Sequence, residues 1–248
     1  MKLFRDTWLV FGRQMALMLR NPVWLIVGVM QPLYFLLLFG PLLKPVLGPG
    51  NAYKIFVPGL LVQLAMLGTM FVGFALIAEL RAGVIERMRV TPISRLALLL
   101  GRSGRDVVML LTQAALLTAV ALPFGLTVKL TDLLLAFALL ALIALLLSAM
   151  SYATALKLRS EDALAPLLQS VSMPVLLLSG IFLPLTFAPA WLQSLAKWNP
   201  FSWAVDASRA LFAGHPGDPH VWKALLILGC LAVAAAAWAA RSFARSVR

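Results

Sequence analysis

Charge is scarce in this 248-residue chain. Asp, Glu, Lys and Arg make up 12% of it against 62% hydrophobic residues, whereas a soluble domain is about a quarter charged. That shortage excludes an ordinary water-soluble domain and leaves an all-α membrane protein, nearly all of it membrane domain. Cysteine is rarer still. Cys230 is the only one and lies in an apolar run, which excludes a disulfide framework and a cysteine-based metal cluster. The two histidines, His215 and His220, share one polar connection, and no G-x-x-x-x-G-K-[ST] segment is present, so the chain holds no nucleotide by a phosphate loop. No nucleophile with a base and an orienting partner can be assembled at membrane depth, which argues against a membrane hydrolase or metalloenzyme. No cleavable signal peptide is expected, because the first apolar run starts only near Val23 and no small-residue cleavage site ends it.

What is present is a series of long apolar runs. Trp24–Leu43, Phe56–Ala78, Val107–Leu126, Leu133–Leu156, Ala163–Leu185 and Val221–Ala240 each approach the ~20 residues that cross the hydrocarbon. Six transmembrane helices are therefore predicted. None contains Asp, Glu, His, Lys or Arg except Lys223 at the edge of the last. A net charge of +12 would suit nucleic acid, but the basic residues are segregated into the connections, as membrane topology requires. With both termini cytoplasmic, 15 Lys and Arg fall inside and six outside: Lys44, Lys54, Lys129, Lys197, Arg209 and Lys223. This is the positive-inside asymmetry.

The ends and connections have their own signals. Over residues 1–22, Phe4, Trp8, Phe11, Met15 and Met18 share one helical stripe, with Lys2, Asp6, Arg13 and Arg20 opposite. This predicts an amphipathic interface helix, followed by a single membrane domain over 23–248. Leu9 and Leu17 interrupt its polar face, so a plain membrane anchor and a surface for another protein both remain open. Asn21 and Pro22 suit the start of a new helix. Between the fifth and sixth spans, Pro189–Lys197 and the stretch from Asn199-Pro200 to Gly214 read as two short helices. Trp191, Trp198 and Trp203 place them at the outer interface, and Asp206 and Arg209, three apart, can pair.

One segment stands out. Glu79 to Asp106 carries nine of the 30 charged residues in 28 positions, between two uncharged runs. It reads as a water-facing cytoplasmic connection. Helix two continues past Glu79 and bends near Gly83, and a short helix runs through Arg89. Pro92 disfavours helix at Thr91, and Thr91 or Ser94 caps the helix into span three. A bundle without charge in its spans has nowhere to hold a driving ion, so a soluble partner pushing on this segment is the natural source of energy. The alternative is a merely solvated loop kept for topology.

The ordered residues resemble the membrane subunit of ABC-2 type exporters, and within them the daunorubicin-resistance kind of permease. The resemblance spans the chain. It is carried by Arg20-Asn21-Pro22, Gln31-Pro32, Phe39-Gly40, Pro58-Gly59, Glu86-Arg87, Thr91-Pro92, Ser94-Arg95, Leu100-Gly101-Arg102, and Asn199-Pro200 with Asp206, Arg209 and Gly214. It implies a permease homodimer in the bacterial inner membrane, exporting drugs or lipid-like compounds and bound to two copies of a separate ATPase subunit. ATP and Mg would be held by that partner and no cofactor by this chain. Glu79, Gly83, Glu86, Arg87, Arg89, Thr91, Pro92 and Arg95 would form the coupling helix and its supports. Other members move polysaccharides, which the residues leave open.

For the substrate path, Gln63, Met66, Met70, Phe71 and Phe74 on span two, with Gln169, Ser172 and Met173 on span five, can line an apolar cavity with a few polar groups. Ordinary helix packing is the competing reading, since Ala65, Thr69 and Gly73 recur every four residues. Pro166 and Pro174 should kink span five. An ion-coupled or passive carrier and a non-transporting membrane scaffold remain the other readings.

Overall fold

The structure, a computed structural model, describes residues 2–21, 23–48, 52–83, 94–182, 185 and 188–245. Every regular element among them is helical. Ten α-helices follow in order: α1 Lys2–Arg20, α2 Val23–Leu47, α3 Ala52–Met70, α4 Gly73–Arg81, α5 Arg95–Ala121, α6 Leu130–Leu158, α7 Glu161–Leu177, α8 Ala190–Ala196, α9 Pro200–Phe212 and α10 Pro219–Arg245. A 3-10 turn at Leu122–Phe124 follows α5. Among the described residues, five stretches are long and apolar enough to cross a membrane: Val23–Pro45, Ala52–Arg81, Leu96–Phe124, Leu130–Leu158 and Pro219–Phe243. The fifth predicted span corresponds to α7, which stops at Leu177 after 17 residues.

Local chemistry sets the boundaries. Ser94 caps α5, its side chain accepting from the Ala97 N–H at 3.1 Å. Asn199 caps α9 by accepting from the Phe201 N–H at 3.0 Å, with Pro200 at the first helical position. α4 ends because Gly83 takes a left-handed φ of +67°, which glycine adopts without a Cβ penalty. Span two is not one helix. Phe71 and Val72 interrupt it between α3 and α4, and the Gly73 N–H reaches across to Ser151 Oγ on α6 at 2.9 Å.

α6 is the central post, buried on several sides along most of its length and packed against α10, α5, α3 and α4. A helix apolar all round belongs in such a position. α2 and α10 leave Trp24, Tyr34, Leu38, Leu42, Leu226 and Val233 exposed, as lipid-facing sides require. Burial in lipid gains little hydrophobic energy, so close packing has to hold the bundle. Gly101 admits Val10 of α1, and Gly59 lies under the Ile181 carbonyl.

Two expectations are corrected. The Glu79–Asp106 segment is not wholly a water-facing connection. α5 starts at Arg95, twelve residues before the predicted span, so Arg102, Arg105 and Asp106 are helical and Arg102 and Asp106 are buried. The polar face assigned to α1 is also partly wrong. Asp6, Val10 and Gln14 form the stripe packed on α5, while Phe4 and Trp8 point outward. The small residues of α5 draw α1 in along that stripe.

A Cβ on Gly59 would lie 2.4 Å from the Ile181 carbonyl oxygen. Gly59→Ala should therefore lower stability by about 1–3 kcal/mol, read by thermal unfolding in detergent. Gly229→Ala, whose Cβ meets nothing within 4 Å, should not. Equal losses for the two would contradict this packing.

Candidate functional site

Two features converge at the end of the bundle where α4 stops at Arg81 and α5 starts at Arg95. The first is a layer of buried polar pairs. On α4, Glu79 accepts an ion-paired hydrogen bond from Arg102 of α5, whose side chain is only 4% exposed. One turn along α5, Asp106 pairs with its neighbour Arg105 and accepts from the Tyr152 hydroxyl of α6 at 2.5 Å. Ser148 of α6 donates to Ser103 at 3.2 Å. Outside this layer, Arg81 at the tip of α4 meets Glu161 at the start of α7 at 3.4 Å. Both residues are partly exposed, so this pair is worth ~0–1 kcal/mol. Together these contacts tie α4 to α5 and α7, and α5 to α6, where span two ends.

The second feature is a pair of cavities against α2 and α3. The larger, about 730 Å³, opens next to the charged layer. Gln14, Asn21, Glu79, Arg105, Asp106 and Glu161 border it, with Trp24, Phe71 and Phe74 on its apolar wall. The smaller, about 530 Å³, lies further along α2, α3 and α7 and is bordered by Gln31, Phe35, Gln63, Phe71, Gln169, Ser172, Met173 and Phe182. Val27, Gly28, Gly68 and Phe71 border both. The break between α3 and α4 therefore falls at the junction of the two cavities. On the wall of the larger cavity, Gln113 Nε2 donates to the Leu25 carbonyl at 3.1 Å, an approach that the missing side chain of Gly28 permits.

At the opposite end, α9 holds the broken end of α7. Asn199 Nδ2 donates to the Val175 carbonyl at 2.8 Å. Arg209 donates to the carbonyls of Gly180 at 2.8 Å, Ile181 at 3.3 Å and Ile55 at 3.2 Å. Its pairing with Asp206 is long, at 3.9 Å. Burial pulls the Arg209 guanidinium below its ordinary pKa, and Asp206 pulls it back. Trp198 is 88% exposed, yet most of α9 is buried against α3, α6 and α10.

The residues singled out from sequence distribute unevenly. Of the substrate-path set, Gln63, Phe71, Phe74, Gln169, Ser172 and Met173 border the cavities. Met66 is buried in the core and Met70 packs against it. Of the coupling set, Glu79 and Gly83 stand at the mouth of the connection, and Arg95 opens α5. Glu86, Arg87, Arg89, Thr91 and Pro92 lie outside the described residues.

A model of the ABC-2 type transporter family matches residues 5–213. The chain belongs to that family. It is 29% identical over 211 residues to the daunorubicin resistance ABC transporter permease protein DrrB1 of Streptomyces coeruleorubidus, covering 84% of this chain and 74% of that protein. It is also 28% identical over 203 residues to the transport permease ycf38 of Cyanophora paradoxa, covering 78% of this chain and 69% of the relative. The matched region of this ABC-2 permease includes both cavities, the polar layer and α9.

Sequence reasoning missed Arg102, Asp106, Tyr152, Gln14, Gln31 and Gln113 as parts of this arrangement. For the first two a signal existed. Arg102 and Asp106 are four apart, on one helical face, and Leu96 to Leu100 already carry the apolar run that leads into span three. A helix start at Thr91 or Ser94 is expected, but reading Arg102 to Asp106 as water-facing hides that register.

Removing Glu79 would strand a buried guanidinium, which costs about 3–5 kcal/mol for a fully buried pair, and less here because Glu79 is partly exposed. Glu79→Ala should therefore unfold at clearly lower temperature, and Arg102→Leu added to it should recover part of the loss. A double variant no better than the single one would contradict the pairing.

Proposed function

We propose that this chain is the permease subunit of an ATP-driven exporter that moves hydrophobic or amphipathic compounds outward across a bacterial inner membrane. The observation that carries this reading is the cavity pair. Two cavities with aromatic side chains and a few polar groups in their walls lie along α2 and α3, the larger beside the charged layer, and share Val27, Gly28, Gly68 and Phe71. Together they suit amphipathic molecules of drug size. The name of the daunorubicin resistance relative points the same way.

In this reading α7 serves as the fifth of six spans, and both termini lie on the cytoplasmic side with the basic excess. Energy comes from a separate ATPase subunit, two copies per permease dimer, which binds ATP and Mg. Residues 84–93, with Glu86, Arg87 and Arg89, seat in that partner. Their displacement is passed to α4, because α4 ends at Gly83 beside them and is jointed to α3 at Phe71-Val72. The Arg102–Glu79 and Arg81–Glu161 pairs carry the movement to α5 and α7. The cavities border α2 and α7, whose outer faces are largely exposed. A second copy of the chain set against those faces would close the cavities off from lipid. This is a rigid-body switch between two packed states.

Exchanging charges with Glu86→Lys and Arg87→Glu should abolish transport and substrate-stimulated ATP hydrolysis while membrane insertion stays intact. Transport at the unaltered rate would contradict the coupling assignment.

A further inference from the structure

The larger cavity carries charge on one side and aromatic surface on the other. Its volume, about 730 Å³, suits a ligand of drug size. Trp24, Phe71 and Phe74 form part of its apolar wall, and it adjoins the smaller cavity, which no charged side chain borders among the described residues. Among the described residues, three carboxylates border the larger cavity, Glu79, Asp106 and Glu161, against one base, Arg105. Arg102 and Arg81, the partners of Glu79 and Glu161, do not border it. A ligand inside therefore meets more acid than base.

The three carboxylates are not equally open to a ligand. Asp106 is buried and both its oxygens are engaged, Oδ1 by Arg105 and Oδ2 by the Tyr152 hydroxyl. Glu79 is held by Arg102, whose guanidinium is buried, so a ligand that took Glu79 away would strand that charge. Glu161 differs. Its side chain is 39% exposed and that of its partner Arg81 is 57% exposed, at 3.4 Å. An exposed pair of this kind is weak, because water solvates either group when the other leaves. Glu161 is also the one residue of α7 on this border among the described residues. Its carboxylate reaches across to the tip of α4, whose Ala75, Ala78 and Glu79 share the border. The carboxylate most easily exchanged thus lies at the rim, between α7 and α4.

We propose that Glu161 receives the ammonium group of a cationic amphiphile in competition with Arg81, while the apolar body lies against Trp24, Phe71 and Phe74 toward the uncharged cavity. This rests on the export reading above and deepens it in two ways. It names a substrate class, amphiphiles with a protonated amine, and it gives that class a regulatory effect. A cation on Glu161 weakens the hold of Arg81 on the same carboxylate, so filling the cavity loosens α4 from α7. Glu161 is then a specificity-determining residue, and its ion pair with Arg81 is a tie that senses whether the cavity is filled.

The test uses the full-length chain in phosphatidylcholine nanodiscs, with the signal of empty nanodiscs subtracted. Two fluorescent probes of similar size are compared: pyrenemethylamine, which is protonated at neutral pH, and pyrenemethanol, which is uncharged. The amine should bind about two- to fivefold more tightly, the range one partly exposed ion pair supplies. Glu161→Gln should lower the amine to the affinity of the alcohol. Arg81→Gln should have the opposite sign and tighten the amine, because its competitor is gone. Alcohol affinity should be unchanged in both variants, which also reports that they are folded. With Glu161→Gln already present, Arg81→Gln should have no further effect on the amine. Tightening that persists there belongs to the general field of Arg81 and overturns the proposal. Equal affinities in the unaltered protein overturn it as well, and so does an amine preference that survives Glu161→Gln. The two readings fail separately. Were ATP-driven transport absent from vesicles carrying the chain and its ATPase while the amine preference and its loss in Glu161→Gln held, the export reading would fall and the Glu161 site would stand. ATP-driven transport without any amine preference would do the reverse.

Discussion

Lipid offers no hydrogen bonds, so a polar group drawn into this bundle is costly unless another part of the chain answers it. That requirement accounts for where the polar residues sit. Arg102 and Asp106 are buried because Glu79, Arg105 and Tyr152 meet them. The carbonyls left free where α7 breaks are met by Asn199 and Arg209. Except for Arg105, which shares α5 with Asp106, each answer comes from a different helix and so doubles as a tie between helices. Polar satisfaction and helix placement are one constraint here, applied at the two ends of the bundle, with close-packed apolar surface between.

The same constraint divides the fold into parts that are held and parts that can move. α6 is held, being wrapped by α3, α5 and α10. α4 is short, is separated from α3 by Phe71-Val72, buries Leu76 and Ile77 in the core, and carries three polar ties: the Gly73 N–H on Ser151, Glu79 on Arg102 and Arg81 on Glu161. Contacts of this kind can switch between two arrangements, whereas a packed core resists gradual deformation. The cavities meet at the same break, so a rotation of α4 changes the wall they share. The break between α3 and α4, the polar ties and the two cavities lie together, in a chain of the ABC-2 type transporter family.

Much of this was legible in the sequence. Uncharged runs of about 20 residues marked the long helices, and Ser94, Asn199-Pro200 and Gly214 marked their ends, because caps depend on local chemistry. Six of the eight path residues on spans two and five border a cavity, since polar side chains in an apolar run are costly unless they face one another or open space. The misses have a common cause. Arg102, Asp106 and Asp6 looked like surface charge because their partners are distant in sequence: Glu79 for the first, Tyr152 for the second, and the α5 surface for the third. The early end of α7 was likewise invisible. Its apolar composition runs on to Leu185, and the contacts that Asn199 and Arg209 make with Val175, Gly180 and Ile181 show that the helix need not continue.

An energy source remains to be accounted for. The Glu79–Asp106 connection carries nine of the 30 charged residues of the chain, and in the proposed reading work enters there from another subunit. The direct measurement is substrate uptake into vesicles containing this chain alone under an imposed proton or sodium gradient, compared with vesicles that also contain its ATPase and ATP. Uptake only in the second case is predicted, and gradient-driven uptake by the chain alone would contradict the account.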